Sequence, residues 1–297
     1  MAPPKGRSTL TRMNTRDLGG KTFVITGANT GIGRANVEAL AARGAGKIVI
    51  AARSRERTEA VIAAVRAASP ETDVRFVALE LGDLASVKRA ADEILAMDLT
   101  IDVLINNAGV AGLQGLTKDG FELTFGTNHL GPFLFTELLL PHVKRATQGR
   151  IVNVSSRGHY QAKGIDWEAL RQPTKAMTAL PEYAVSKLCN VLYAKALTRR
   201  LSDTKVTTYS LHPGGVASDI WQRRMGKFAI LLRPFLITNE KGALTQLRCE
   251  TDPALSTETG LYYDEERPKE PSKLAHDVAL QDELTARSRK WVEAYLS

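Results

Sequence analysis

Thr26-Gly27-Ala28-Asn29-Thr30-Gly31-Ile32-Gly33 is the stretch on which the reading of this chain turns. In front of it stands an apolar run, Thr22-Phe23-Val24-Ile25, of the kind that forms a buried strand. Behind it, residues 34–42 are rich in helix formers. A strand, a glycine turn and a helix start together make an anion cradle. Glycine admits positive φ and close backbone approach, and the first N–H groups of the helix point at whatever sits before them. The spacing of Gly27, Gly31 and Gly33 is looser than the usual dinucleotide G-x-G-x-x-G. Alone, the stretch also reads as a plain turn, so its neighbours must decide.

Outward from that turn, strands and helices alternate. Strands are predicted over 47–51, 74–79, 101–105, 150–155 and 206–211, with a last short one at Leu261-Tyr262-Tyr263. Helices are predicted over 56–68, 85–97 and 182–201, and a closing one over 274–295. A long helical segment over 121–144 is expected to be interrupted at Gly131-Pro132 and Pro141. This alternation predicts an α/β fold: a doubly wound, Rossmann-like parallel sheet with helices on both faces. In such sheets ligands bind beyond the carboxyl ends of the strands. Gly27, Arg53, Glu80, Asn107, Ser156 and Gly214 each follow a strand and should line that edge. With no long linker and no internal repeat, residues 19–297 read as one domain behind a flexible arm, 1–18. The arm carries Lys5, Arg7, Arg12 and Arg16 and lacks the apolar region of a secretory signal; a transit peptide is its other reading.

Hydrophobic residues make up 43% and charged residues 24%, a balance that suits an ordinary soluble domain. The apolar stretches, such as 228–232, are broken by charges well short of the roughly 20 residues of a membrane span. The net charge of +8 is diffuse, without the basic, aromatic-interleaved blocks of a nucleic-acid binder. Cys189 and Cys249 stand far apart, and the five histidines show no ligand spacing. A reducing, cytoplasmic setting and no metal are therefore expected.

Tyr183-Ala184-Val185-Ser186-Lys187 is the second telling stretch. Tyr183 and Lys187, four apart, share a helix face. A cation beside a phenol favours the phenolate and so predicts a tyrosine that exchanges protons near neutral pH. Upstream, Ile151-Val152-Asn153-Val154-Ser155-Ser156 ends a strand in hydroxyls that could meet the phenol over a shared substrate oxygen.

Together these residues resemble the short-chain dehydrogenase/reductase family, of classical type, over nearly the whole chain. T-G-A-N-T-G-I-G at 26–33 matches its cofactor loop, and N-N-A-G at 106–109 its central-strand motif. T-N-H-L-G-P-F-L-F-T at 127–136, V-T-T-Y-S-L-H-P-G at 206–214 and G-L-Y-Y-D at 260–264 look like the retinol dehydrogenase-like branch, as does the long insert from Arg157 to Glu182. The resemblance implies a catalytic tetrad of Asn128, Ser156, Tyr183 and Lys187. In it Tyr183 is the general acid/base, and Lys187 holds the nicotinamide ribose and lowers the phenol pKa. Ser156, rather than Ser155, binds the reacting oxygen, and Asn128 supports a water-linked proton relay. It further implies cofactor contacts from Gly27, Asn29, Thr30, Gly31, Ile32, Gly33, Arg53, Glu80, Leu81, Asn107, Ala108, Gly109, Tyr183, Lys187, Pro213, Gly214, Val216 and Ser218. Two departures stand out: Glu80 where the family commonly has Asp, and Gly215 where it often has Thr.

Cofactor choice follows from charge. A free ribose 2′-hydroxyl wants an acidic partner at the end of the second strand. Ala52, Arg53 and Arg55 stand there instead, and guanidinium pairs with phosphate. NADP(H) is therefore expected. A lid is expected over 219–237, where Trp221, Phe228 and Phe235 mix with Arg223, Arg224 and Lys227; it favours a hydrophobic alcohol or carbonyl substrate. Peripheral membrane contact through this basic apolar segment, and a homo-oligomer, stay open. The main expectation is an oxidoreductase moving hydride between nicotinamide and such a substrate. The alternatives are a non-catalytic dinucleotide-binding sensor or interaction module, and a double-bond reductase on the same scaffold.

Overall fold

The computed structural model describes residues 16–214 and 238–296. Val216, Ser218, Gly215 and the lid expected over 219–237 lie outside the described residues. So does most of the arm, but its end is packed. Leu18 is buried, and Arg43 donates a fork to the Asp17 carboxylate at 3.0 and 2.7 Å.

Eight strands form one sheet: β1 (Thr22–Thr26), β2 (Lys47–Ala52), β3 (Asp73–Ala78), β4 (Val103–Asn106), β5 (Gly149–Val154), β6 (Val206–His212), β7 (Leu261–Asp264) and β8 (Arg267–Lys269). Their order is β3-β2-β1-β4-β5-β6-β7-β8. All neighbours are parallel except β8, which runs antiparallel to β7. β1, β4 and β5 are buried along their whole lengths, which is why β1 and β4 read as largely apolar rather than alternating, while β5 carries Arg150 and Asn153 among its apolar residues. The chain winds outward from β1 to β3, then returns to place β4 on the other side of β1. That reversal opens a crevice beyond the carboxyl ends of β1 and β4.

The helices are α1 (Gly31–Ala42), α2 (Arg55–Ala68), α3 (Leu84–Leu95), α4 (Gly131–Lys144), α5 (Leu180–Arg200), α6 (Asn239–Thr251) and α7 (Val278–Trp291). On one face of the sheet, Val37, Val61 and Leu247 of α1, α2 and α6 pack with Phe23, Ile25 and Val152. On the other, Val87, Phe133, Leu188 and Leu284 of α3, α4, α5 and α7 pack with Val24, Leu104 and Ile151. Ser54, Asp83, Thr238 and Asp277 cap α2, α3, α6 and α7 by accepting a first-turn N–H. The start of α1 differs: Thr30 makes no side-chain cap bond, and no acidic residue stands in the first turn.

Several elements depart from expectation. The 121–144 segment is not broken at Gly131-Pro132 or Pro141. A turn, Leu123–Phe125, leads into a π-helical turn, Gly126–Leu130, and α4 then runs on through Pro141. Pro132 falls in the first turn of α4, where a missing N–H is tolerated. The closing helix over 274–295 divides into a 3-10 turn (Lys273–His276), α7 and a second turn (Glu293–Tyr295), with Asp277 as the stop and restart. α6 and β8 were not expected at all. α6 buries Thr245, Gln246 and Glu250, and Asn36 of α1 donates to the Glu250 carboxylate at 2.7 Å. Burial lifts that carboxyl to about 7. Among the described residues no helix is long and apolar enough to cross a membrane, and no group of His, Cys, Asp or Glu could hold a metal.

Candidate active site

The glycine turn after β1 is fastened to the turn after β4. Gly27 has φ +69°, and a Cβ there would stand 2.7 Å from Ala108 Cβ, so only glycine fits. Asn107 N and Ala108 N donate to Thr26 Oγ1 at 3.1 and 3.0 Å. Asn107 Nδ2 donates to the Thr26 and Gly27 carbonyls at 2.9 and 3.4 Å. Asn107, expected as a cofactor contact, thus uses its side-chain amide on the turn itself. Thr26 is the residue sequence reasoning missed; a hydroxyl at the last position of a buried strand was the available signal. Next to this pinned turn, the uncapped start of α1 presents Thr30 exposed and Asn29, Gly31 and Ile32 half-buried, with Gly33 buried behind them. A helix start with no side-chain cap and no acidic residue in its first turn suits a diphosphate.

The end of β2 holds Arg53 as expected, but the absence of a carboxylate does not hold. Glu80, arriving from the end of β3, brings Oε2 to 3.7 Å from Arg53 Nη1. Adjacent parallel strands place their carboxyl ends side by side, which the linear sequence hides. Both partners are largely exposed, so the pair contributes little and a phosphate can compete for the guanidinium. Arg55 is engaged elsewhere, over the Phe76 ring at 4.5 Å and with Glu59 at 3.2 Å. The Leu81 side chain is in the core, so any cofactor contact from this residue would have to come from its main chain.

At the end of β5 the two serines part. Ser155 is buried and donates to the Lys187 carbonyl at 2.7 Å. Ser156 presents its hydroxyl to the Tyr183 phenol. α5 carries Tyr183 and Lys187 over the sheet edge. Lys187 is 4% exposed and donates to the Val154 carbonyl at 3.0 Å. A Cβ on Gly109 would meet Lys187 Nζ and Asn128 Oδ1, both at 3.2 Å, so glycine at the end of N-N-A-G leaves room for the ammonium. Asn128, in the π-helical turn, accepts from Val110 N at 2.7 Å and donates to Val110 O at 2.9 Å and Ser186 Oγ at 3.0 Å. Its amide therefore fixes the loop after β4. Pro213 and Gly214 sit half-buried past the end of β6, Gly214 with φ +97°.

One electrostatic expectation is reversed. Lys187 was expected to lower the phenol pKa. Burial instead raises the Tyr183 pKa, and the hydrogen bond from Ser156 draws it back only in part. Lys187 lies over the ring face, 5.7 Å from its centroid. Burial pushes the ammonium itself down to about 8.

The structure thus gathers Gly27, Gly109, Ser156, Tyr183, Lys187 and Gly214 at the carboxyl ends of β1, β4, β5 and β6. The profile of the family described as short chain dehydrogenase matches residues 21–169. Dehydrogenase/reductase SDR family member 13 of Bos taurus is 40% identical over 279 residues, covering 92% of this chain and 73% of that protein. Retinol dehydrogenase 12 of Homo sapiens is 40% identical over 250 residues, covering 83% and 78%. The crystal structure of an uncharacterized protein from Mycobacterium Paratuberculosis superposes with a TM-score of 0.77 at 30% identity, covering 97% of this chain and 98% of that one. The chain belongs to the short-chain dehydrogenase/reductase family of oxidoreductases. Within that family it is retinol dehydrogenase-like.

Proposed function

We propose that the protein is an NADP(H)-dependent oxidoreductase of hydrophobic alcohols and carbonyls, with Tyr183 as its general acid/base. The observation that carries this reading is the meeting of the Ser156 hydroxyl, the Tyr183 phenol and the buried Lys187 ammonium beside the glycine turn. The main chain of residues 27–33, with Ala108, Gly109, Pro213 and Gly214, would hold the dinucleotide, and Arg53 its 2′-phosphate. When bound, the nicotinamide supplies or takes the hydride. Ser156 orients the reacting oxygen, and Tyr183 gives it a proton in reduction or takes one in oxidation. The phenol, raised by burial above its ordinary value, is protonated at neutral pH, so Tyr183 starts as a donor, which suits carbonyl reduction. Lys187 binds ribose through an ammonium already stripped of water. Asn128 positions Val110 and, through it, the loop after β4.

A hydrophobic substrate is supported by the loops that lead to Tyr183. Gln114 Nε2 donates to Ala176 O at 2.9 Å and Gly115 N to Thr174 Oγ1 at 3.2 Å, joining the two loops. That lip exposes Leu113, Leu116 and Met177, the last 95% exposed. Both cysteines are free and buried, in keeping with a reducing, cytoplasmic setting.

The test follows NADPH absorbance against hydrophobic aldehydes and ketones, including p-nitrobenzaldehyde and retinaldehyde. Turnover of at least one is expected; no turnover of any would overturn the reading. NADPH is expected to bind more tightly than NADH, and Glu80→Gln to widen the gap by freeing Arg53. The pair Ala52→Asp and Arg53→Ala should reverse the preference. Equal affinity of the unmodified protein for both cofactors, measured by fluorescence titration, would remove Arg53 from this role.

A further inference from the structure

The inference rests on the reading of Ser156 given above and concerns what holds that hydroxyl in place. Ser156 opens a 3-10 turn, Arg157–Gln161, and caps it: Gly158 N donates to Ser156 Oγ at 3.0 Å. The turn lies directly against the phenol. A Cβ on Gly158 would stand 3.3 Å from Tyr183 Cε1 and 3.4 Å from Ser156 Oγ. A 3-10 turn of this length is weakly held by its own hydrogen bonds, and here the C-terminal segment grips it from outside. Arg157 sends Nε and Nη2 to the two oxygens of Asp264 at 2.8 and 3.0 Å, and Nη2 also to Glu265 Oε1 at 2.7 Å. His159 Nε2 accepts from Ser272 N at 3.1 Å, and its ring meets Tyr262 edge-on at 4.8 Å. Tyr160 donates to the Glu270 carbonyl at 2.5 Å.

Asp264 is the centre of this grip. Its side chain is 2% exposed and also receives Lys269 Nζ at 3.0 Å. It stands at the end of β7, just before a hairpin turn in which Glu265 and Glu266 both take positive φ, +51° and +61°. Two successive non-glycine residues in that region are strained and persist only where the surroundings hold them. They are held: Glu266 N donates to Thr245 Oγ1 at 3.1 Å, and Arg248 Nη1 donates to Glu266 O at 2.6 Å, both from α6. The direction in which this turn delivers Asp264 is thus fixed from two sides. A forked guanidinium–carboxylate contact fixes orientation as well as distance.

We propose that the Arg157–Asp264 pair is a positioning device for Ser156: a buried carboxylate on β7 holds the turn that sets the serine hydroxyl against Tyr183. Both are positioning residues, acting through Ser156 rather than on the reacting atoms.

The test is a double-mutant cycle with NADPH and p-nitrobenzaldehyde, on wild type, Asp264→Asn, Ser156→Ala and the combination, with a melting curve and an NADPH titration for each. Asp264→Asn is expected to lower kcat by about ten- to a hundredfold with KM and NADPH affinity nearly unchanged. In the Ser156→Ala background it should add nothing, because the group it positions is gone. A readout independent of turnover is the titration of Tyr183 in protein carrying ζ-carbon-labelled tyrosine. Asp264→Asn should move the phenol upward as Ser156→Ala does. If Asp264→Asn fails to fold, Arg157→Lys carries the same cycle, since lysine keeps the charge and loses the fork. A further loss of kcat in the Ser156→Ala background, equal to that in wild type, overturns the device while leaving the functional reading intact. Full activity of Ser156→Ala overturns the assigned role of Ser156, and the device with it.

Discussion

Tyr183→Phe is expected to lower kcat for carbonyl reduction by about 10²–10⁴-fold while leaving NADPH affinity close to wild type. A carbonyl that accepts hydride becomes an alkoxide, and a proton must meet that charge as it develops. In the proposed reading the phenol is the donor: it faces Ser156, and burial raises it further above neutral pH. Phenylalanine removes only the hydroxyl. The ring face under Lys187 and the edge against Gly158 both survive, so packing should too. The proton inventory has a second signature. Because burial holds Lys187 at about 8, reductive kcat/KM should fall as pH rises through that value, and the same limb should persist in the weakly active phenylalanine variant. A Tyr183→Phe enzyme retaining more than about a tenth of wild-type kcat would lie outside the range of general acid catalysis and would assign the proton to another group.

Lys187→Met is expected to inactivate the protein and, at the same time, to stabilise it. The ammonium is buried and, among the described residues, has the Val154 carbonyl and no carboxylate as a hydrogen-bond partner. Its pKa drops from 10.5 to about 8, and at about 1.4 kcal/mol per unit this burial costs about 3 kcal/mol below pH 8. Methionine fills similar space without charge. It does not orphan the Val154 carbonyl, because Asn190 Nδ2 donates to the same oxygen at 3.2 Å. Melting near neutral pH should therefore rise by about 5 °C or more. The sign can be checked by pH. Between about 8 and 10.5 the unfolded chain binds the extra proton, so the wild-type protein gains stability as pH rises and the advantage of methionine fades. Melting curves taken near neutral pH and near pH 10 measure this. A lower melting temperature at neutral pH would mean that the ammonium contributes to the fold rather than burdening it. The expected combination, a more stable and inactive protein, is what a group retained for chemistry should give.

The sheet was legible because its central strands are rich in buried apolar residues, and because glycine turns and hydroxyls mark their carboxyl ends. The approach of Ser156, Tyr183 and Lys187 was foreshadowed by a hydroxyl at a strand end and by two residues one helical turn apart; the tetrad itself came only from the family resemblance. α6 was not legible, since Thr245, Gln246 and Glu250 are buried alongside Ala243, Leu244 and Leu247 and blur its short apolar stripe. Glu250 is tolerated there because Asn36 donates to it and burial keeps it largely protonated up to neutral pH. β8 was hidden for a different reason: Arg267, Pro268 and Lys269 are all exposed at an antiparallel edge and have no hydrophobic pattern to show. The Arg53–Glu80 approach joins residues from different strands, which only the sheet order brings together. The direction of the Tyr183 shift was misjudged because spacing on a helix reports proximity and says nothing of burial, and here desolvation outweighs the hydrogen bond from Ser156.

Thr26 has a consequence that reaches beyond the fold. Its hydroxyl ties the turns after β1 and β4 into one rigid surface before any ligand arrives. Loops that must be ordered on binding lose freedom at that moment and weaken the complex; here the ordering is already complete when the chain folds. Affinity for the dinucleotide then depends on an oxygen buried behind the surface the ligand meets. Thr26→Val keeps the shape and removes that oxygen. It is expected to weaken NADPH in a fluorescence titration, through the readiness of the site rather than through any contact with the ligand.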